Sequence, residues 1–156
     1  MLEKRWRVKK MKLWKTTLLL LTGLIFVVTY AIAAEKDVTV PRVPPDQIAA
    51  AKAMKNPLTA TPDNIAKGKA IFEGKGVCFT CHGLSGKGDG DAGKALDPTP
   101  RDFTNANFHG LRTDGEMFWV IKNGSAGTGM ISYNPAMIND EEAWQTIIYE
   151  RSLKGK

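Results

Sequence analysis

The sequence predicts an all-α fold on three observations. Capping patterns begin two segments, with Thr61 before a proline and Thr113 three residues before a glutamate. A third segment begins with acidic residues after Asn139, which favour the positive end of a helix dipole. Apolar residues recur at helical spacing, and no stretch alternates polar and apolar residues as a half-buried strand does.

The first 34 residues predict an export segment. Seven basic residues up to Lys15 precede an uncharged apolar run of 19 residues, from Thr16 to Ala34. Ala31-Ile32-Ala33 is typical of a signal-peptide cleavage site, but the run also approaches the ~20 residues that span a bilayer. A cleaved signal peptide and an uncleaved membrane anchor therefore both remain open. Either places the rest of the chain on the periplasmic side of the inner membrane, because clustered lysines and arginines stay in the cytoplasm.

The formal net charge of +6 does not indicate a nucleic-acid partner. From Glu35 onward the chain has 15 basic and 15 acidic residues, so the positive excess belongs to the export segment. The remainder is electrically balanced, and no run of lysines predicts electrostatic steering toward an acidic partner.

Residues 35–60 are interpreted as a proline-rich lead-in to the domain. Three prolines near its start favour an extended, semi-rigid backbone. Strong helix formers from Asp46 to Lys55 predict one short helix, which ends before Pro57. The compact domain is then predicted at residues 61–156.

Three helices are predicted in this domain, separated by glycine-rich or irregular loops. The first begins at Thr61 and ends near Gly74, and the second runs from Thr113 to Gly124. The last begins near Asn139 and continues to Leu153. The stretch 96–108 contains two prolines and is predicted to be irregular.

The most informative motif is Cys78-Phe79-Thr80-Cys81-His82, which contains both cysteines of the chain. The pattern C-x-x-C-H is typical of covalent c-type haem attachment. Two thiols one helical turn apart can each add to a vinyl group of the macrocycle, and the following histidine can bind the iron. One motif predicts one covalently attached haem c.

These residue types also occur in two other kinds of site. Cys78, Cys81, His82 and His109 form a Cys₂His₂ set on paper, but adjacent ligands at 81 and 82 would crowd a tetrahedral zinc centre. A thioredoxin-like redox pair would need a βαβ context, which the sequence does not show.

With these residues in place, the region from about Thr61 to Leu153 resembles the class I mono-haem cytochrome c family. The motifs occur in the family's order: a helix with Gly68, the attachment motif, a capped helix, a methionine loop and an aromatic last helix. The resemblance implies that the first and last helices cross beside the haem, with Gly68 allowing close approach. The implied packing partners are Phe72, Trp144 and Tyr149.

The resemblance also implies that the sixth iron ligand is a methionine in a G-T-x-M-P-type loop. Gly127-Thr128-Gly129-Met130 matches it, but Ile131 stands where the family usually has proline. Met130 is the predicted ligand, and the candidates that remain beside it are Met54, Met117, Met137 and His109. A backbone carbonyl from Pro98 or Pro100 is expected to hold the second nitrogen of the proximal imidazole.

A haem iron with both axial positions filled has no place for a substrate. The predicted function is therefore to carry single electrons between periplasmic or membrane-bound respiratory partners, as a free protein or a complex subunit. Its partners would be redox protein donors and acceptors. The alternative is an open-site haem protein for catalysis or gas sensing, if the Met130 loop releases the iron.

Overall fold

The computed structural model describes residues 38–156, and its regular structure is helical. No strand occurs in this range, which confirms the all-α prediction. The predicted export segment lies outside the described residues, and none of the helices within them has the length and apolar character needed to cross a membrane. From residue 48 onward the helices are α1 (Ile48–Ala53), α2 (Pro62–Glu73), α3 (Phe79–His82), α4 (Ala106–Leu111), α5 (Asp114–Asn123) and α6 (Asp140–Ser152).

Local capping interactions set the starts of the three long helices. The Thr61 side chain accepts a hydrogen bond from the backbone N–H of Asn64, which begins α2. Reciprocal capping boxes begin α5 at Thr113 and α6 at Asn139. Each cap satisfies backbone donors that the first turn leaves unpaired, so these starts agree with the prediction.

The prediction that residues 96–108 are irregular throughout was wrong at their end. Helix α4 begins at Ala106, where the Asn105 side chain accepts a hydrogen bond from the backbone N–H of Asn107. The helix has only six residues and includes Gly110, so its sequence signal is weak. Consequently His109 lies on a helix rather than in a loop.

Helices α2 and α6 cross at Gly68. A Cβ atom at this position would lie 2.0 Å from the backbone oxygen of Gln145, so only glycine permits the contact. Phe72 and Tyr149 meet edge to face beside the crossing, with ring centroids 5.3 Å apart. The expected crossing of the first and last helices of the domain is therefore present.

Trp144, the other expected packing partner, makes its aromatic contact with a different helix. Its ring stacks on Phe118 of α5, with centroids 4.0 Å apart and an interplanar angle of 5°. Trp144 therefore joins α6 to α5. Residues 144 and 149 are five positions apart, which places them on different sides of a helix.

Residues 38–58 pack against the helical domain. Val38, Val43 and Ala51 are buried. A Cβ atom at Gly115 would lie 2.0 Å from the backbone oxygen of Ala51, so α1 and the start of α5 are in close backbone contact. The lead-in thus contributes to the core, and the domain boundary near residue 61 stays a sequence prediction.

Candidate haem site

The four residues that the sequence assigns to the cofactor line one cavity: Cys78, Cys81, His82 and Met130. Side chains from Arg42 to Glu150 line it, and so broad a wall suits a large organic cofactor rather than a single ion. The remaining wall is mainly apolar and includes Leu96, Phe103, Phe108, Val120, Ile121 and Ile138.

The attachment motif folds as one helical turn at the cavity wall. The backbone N–H of His82 donates to the carbonyl of Cys78 at 2.9 Å, and that of Cys81 donates to the same carbonyl at 3.3 Å. Both thiols are free. A single turn thus presents two sulfur atoms and an imidazole to the same space, as the C-x-x-C-H spacing requires.

The environment of Cys78 favours an uncharged sulfur. Burial raises the pKa of its thiol to about 12, and the nearby Glu150 carboxylate adds to the effect. A buried thiolate at Cys78 would lose its solvation, and no cation is among the groups that shift its pKa. A thioether bond to a macrocycle removes the thiol proton and leaves no charge, so the wall fits covalent attachment.

The four residues of the alternative zinc site do not come together. His109 lies away from the cavity, with Nε2 at 2.6 Å from the Phe103 carbonyl and Nδ1 at 3.1 Å from the guanidinium of Arg151. Since a carbonyl only accepts, Nε2 carries the proton and Nδ1 accepts from Arg151. Across residues 38–156, no cluster of three or more His, Cys, Asp or Glu residues could hold a metal ion.

His82 is held with one nitrogen free for a metal. Its Nδ1 lies 3.0 Å from the backbone carbonyl of Arg101, which can only accept, so Nδ1 carries the proton. Burial lowers the pKa of the ring and keeps it neutral. The lone pair is then on Nε2, in the form that binds iron. The expectation that Pro98 or Pro100 supplies this carbonyl was wrong. The carbonyl belongs to Arg101, the residue after Pro100.

The methionine loop is ordered by its own hydrogen bonds. The Ser125 N–H donates to the Met130 carbonyl at 2.8 Å, and the Met130 N–H donates to Thr128 Oγ1 at 3.1 Å. The Thr128 hydroxyl in turn donates to the Ser125 carbonyl at 2.8 Å. These bonds close the loop without a proline after the methionine. Ile131 itself is 61% exposed.

Two of the methionine candidates contribute to the cavity wall. Met130 does so from the loop and Met117 from helix α5. Met54 and Met137 are not part of this wall, and Met137 is 38% exposed. Of the methionines considered as the sixth iron ligand, only Met117 and Met130 line the cavity within the described residues.

Polar residues in the wall were missed by the sequence reasoning. They include Arg42, Arg101, Arg112, Glu116, Tyr133, Thr146 and Glu150. The guanidinium groups match the carboxylates that a haem carries, and the buried Nε of Arg112 has no hydrogen-bond partner. One signal was available, since Glu150 occupies an apolar position in the i, i+3, i+4 pattern of the last helix. The cavity therefore fits a haem by its broad apolar wall, thiols, imidazole and cationic groups.

Comparison with known proteins agrees with this geometry. The sequence profile of the family described as Cytochrome c matches residues 65–154, more than half of the chain. The chain belongs to the cytochrome c family. The cytochrome thus has the all-α fold of that family and is a c-type haem protein.

A solved structure is similar to part of this cytochrome. It is a chain of the Kuenenia stuttgartiensis reducing HAO-like protein complex Kustc0457/Kustc0458, with 32% sequence identity and a TM-score of 0.55. The match covers 65% of this chain and 49% of the other, so the cytochrome spans about half the length of that neighbour. No curated protein matches the cytochrome.

Proposed function

We propose that this cytochrome carries single electrons through one covalently attached haem c. Cys78 and Cys81 would attach the macrocycle, and His82 and Met130 would bind the iron. The observation that carries the proposal is that these four side chains line the same cavity while Nδ1 of His82 is committed to the Arg101 carbonyl. The bound haem would supply a one-electron couple at its iron.

The chain's own residues favour transfer over catalysis. If the hydrogen-bonded imidazole of His82 and the thioether of Met130 both bound the iron, no position would be left open for a substrate. Fixed coordination keeps the structural change between oxidation states small. A thioether opposite an imidazole also raises the reduction potential of a haem.

The location and partners are proposed from the sequence and the comparison. The basic and apolar N-terminal segment supports a periplasm-facing protein, either released after cleavage at Ala33 or retained by its anchor. The partners would be redox proteins. The solved neighbour belongs to a protein complex, which supports a role as a complex subunit as well as a free shuttle.

The optical spectrum of the purified haem protein tests the proposal. We expect a low-spin spectrum with a weak sulfur-to-ferric-iron band that carbon monoxide does not change. A high-spin component, or a ready shift with the gas, would contradict a closed carrier. That result would favour an open site for catalysis or gas sensing.

Substitution of the methionines assigns the axial ligand. Met130→Ala is expected to remove the sulfur band and open the iron to carbon monoxide. Met137→Ala, which changes an exposed side chain outside the cavity wall, is the matched control and should leave the spectrum unchanged. Loss of the band in Met117→Ala but not in Met130→Ala would transfer the role to Met117.

A further inference from the structure

A buried glutamate lies in the wall of the haem cavity. Glu150, on helix α6, is 4% exposed and lines the same cavity as Cys78. Burying an ionised carboxylate is energetically unfavourable unless it is paired with a cation or hydrogen-bonded, and otherwise the group tends to be protonated. The electron-carrier role gives this residue no task.

The nearest cation on the same helix does not neutralise Glu150. The Arg151 guanidinium uses Nε for Asp114 at 2.7 Å and Nη1 for His109 Nδ1 at 3.1 Å. Its Nη2 donates to the Arg112 carbonyl at 2.6 Å. Hydrogen bonding is not among the causes that shift the pKa of the Glu150 carboxyl, which are burial and the charges of Arg151 and Asp114.

The electrostatic balance at Glu150 favours its protonated form. Burial raises the pKa of its carboxyl to about 8; the charge of Arg151 opposes this rise, and that of Asp114 adds to it. Cys78, which precedes α3, ceases to titrate once it forms a thioether. The other charged or titratable groups of the cavity wall are Arg42, Arg101, Arg112, Glu116, Tyr133, Cys81 and His82.

We propose that Glu150 is a redox-linked proton site, which binds a proton when the haem is reduced and releases it on oxidation. This inference rests on the proposed electron-carrier function. An electron from the donor lowers the charge of the iron by one, and a proton from solvent binds to the Glu150 carboxylate. Oxidation by the acceptor returns both. The coupling arises because the added electron and an ionised Glu150 carboxylate would repel each other. Water screens this repulsion poorly when the charges are buried.

The test is the midpoint potential of the holoprotein as a function of pH, measured by optical redox titration. Wild type, Glu150→Gln and Glu141→Gln are compared from two units below to two units above the Glu150 pKa of about 8. Glu141 is an exposed glutamate of the same helix and provides the matched control.

Wild type and Glu141→Gln should show a window in which the reduction equilibrium weakens tenfold per pH unit. This corresponds to about 59 mV per pH unit for a one-electron couple. The potential should be flat outside the window, and Glu150→Gln should be flat throughout. A pH-independent wild type, or an unchanged window in Glu150→Gln, would overturn the proposal and assign any proton to another group, such as a haem carboxylate.

A second measurement uses only the wild-type protein, so it does not depend on whether a variant folds. The reduced-minus-oxidised infrared spectrum of wild type should show the C=O stretch of a protonated carboxylic acid gained on reduction and shifted in D₂O. Its absence at a pH within the window would also overturn the proposal. A reversible one-electron couple without proton uptake would leave the carrier function intact, whereas the lack of any reversible couple would refute the carrier function itself.

Discussion

The ring of Phe103 stacks on the ring of His82, with centroids 4.5 Å apart and planes inclined by 20°. The backbone of Phe103 is also held at both ends. Its N–H donates to the Gly86 carbonyl at 2.7 Å, and its carbonyl accepts from His109 Nε2 at 2.6 Å. The imidazole is thus fixed by a hydrogen bond at Nδ1 and by an aromatic face along its plane. Such outer contacts orient a metal ligand and tune the metal.

Replacing Phe103 with leucine is expected to free the imidazole. The variant keeps an apolar side chain but loses the stacked face, so the free energy of unfolding should fall by about 1–2 kcal/mol. The electron paramagnetic resonance spectrum of the oxidised haem should change, because the orientation of the His82 ring changes.

Phe118→Leu is the matched control for this experiment. Phe118 is also in a stacked pair, with Trp144, but it does not line the cavity. It should lose similar stability and keep the wild-type resonance spectrum. Equal spectral changes in both variants would mean that Phe103 acts only through general packing.

Gly68→Ala is expected to disrupt the crossing of α2 and α6. Its new methyl group would overlap the backbone oxygen of Gln145, and backbone cannot move aside as a flexible side chain can. The free energy of unfolding should fall by about 2 kcal/mol or more, measured by urea denaturation of the holoprotein. Gly110→Ala has open space around the added Cβ and should change stability by less than about 1 kcal/mol. Equal losses in both variants would contradict the close approach at Gly68.

Arg112→Gln should release the start of the described chain. The Arg112 guanidinium donates to the carbonyls of Val38 at 3.0 Å and Thr39 at 2.7 Å. Loss of these charged hydrogen bonds should speed backbone amide exchange in residues 38–47 roughly tenfold or more, because such bonds contribute about 1.5–3 kcal/mol. Hydrogen–deuterium exchange followed by mass spectrometry measures this directly.

Lys122→Gln is the control for Arg112→Gln. It breaks an exposed ion pair with Asp140 at 3.1 Å, which should contribute less than about 1 kcal/mol. Exchange in residues 38–47 should stay at the wild-type rate. If Arg112→Gln exchanged no faster than this control, Arg112 would not hold the segment.

Glu150 should make the protein less stable as the pH rises. The pKa of its carboxyl is raised from 4.5 to about 8, so between these values the folded protein keeps a proton that the unfolded chain has lost. Its favourable contribution is complete below pH 4.5 and is lost as the pH rises through about 8. The free energy of unfolding should therefore fall over this window by on the order of a few kcal/mol in wild type, and much less in Glu150→Gln.

This comparison is best made above the unfolded pKa of His109. Burial lowers the pKa of His109 from 6.5, which makes stability rise with pH below that value and would mask part of the Glu150 effect. Denaturation curves above it isolate the carboxyl. Parallel curves for wild type and Glu150→Gln would show that Glu150 titrates normally in the folded protein.

Local signals in the sequence were sufficient for most of the helices. The caps at Thr61 and Thr113 act within three residues of themselves, so their partners can be seen in the sequence. The attachment motif is equally local, because one helical turn spans it. Helix α4 was missed because it is short and contains a glycine.

Contacts between distant parts of the chain could not be predicted in the same way. The carbonyl of Arg101, rather than that of a proline, faces His82. The reason is that the loop folds back on the motif, with the Phe103 N–H bonded to the Gly86 carbonyl. Trp144 joins Phe118 because helices α5 and α6 pack together. Neither pairing leaves a periodic pattern in the sequence.

The sequence by itself determined the helical class and the single attachment motif, and the crossing at Gly68 was implied only by the family resemblance. The first two depend on spacing along one helix or on a motif whose chemistry requires adjacent residues. Only the tertiary structure decided that Arg42 from the lead-in and Glu150 from the last helix meet in one cavity wall. The physical reason is that burial and the charge of neighbours depend on what surrounds a residue in space, and residues 42 and 150 become neighbours of the same cavity only after the helices pack.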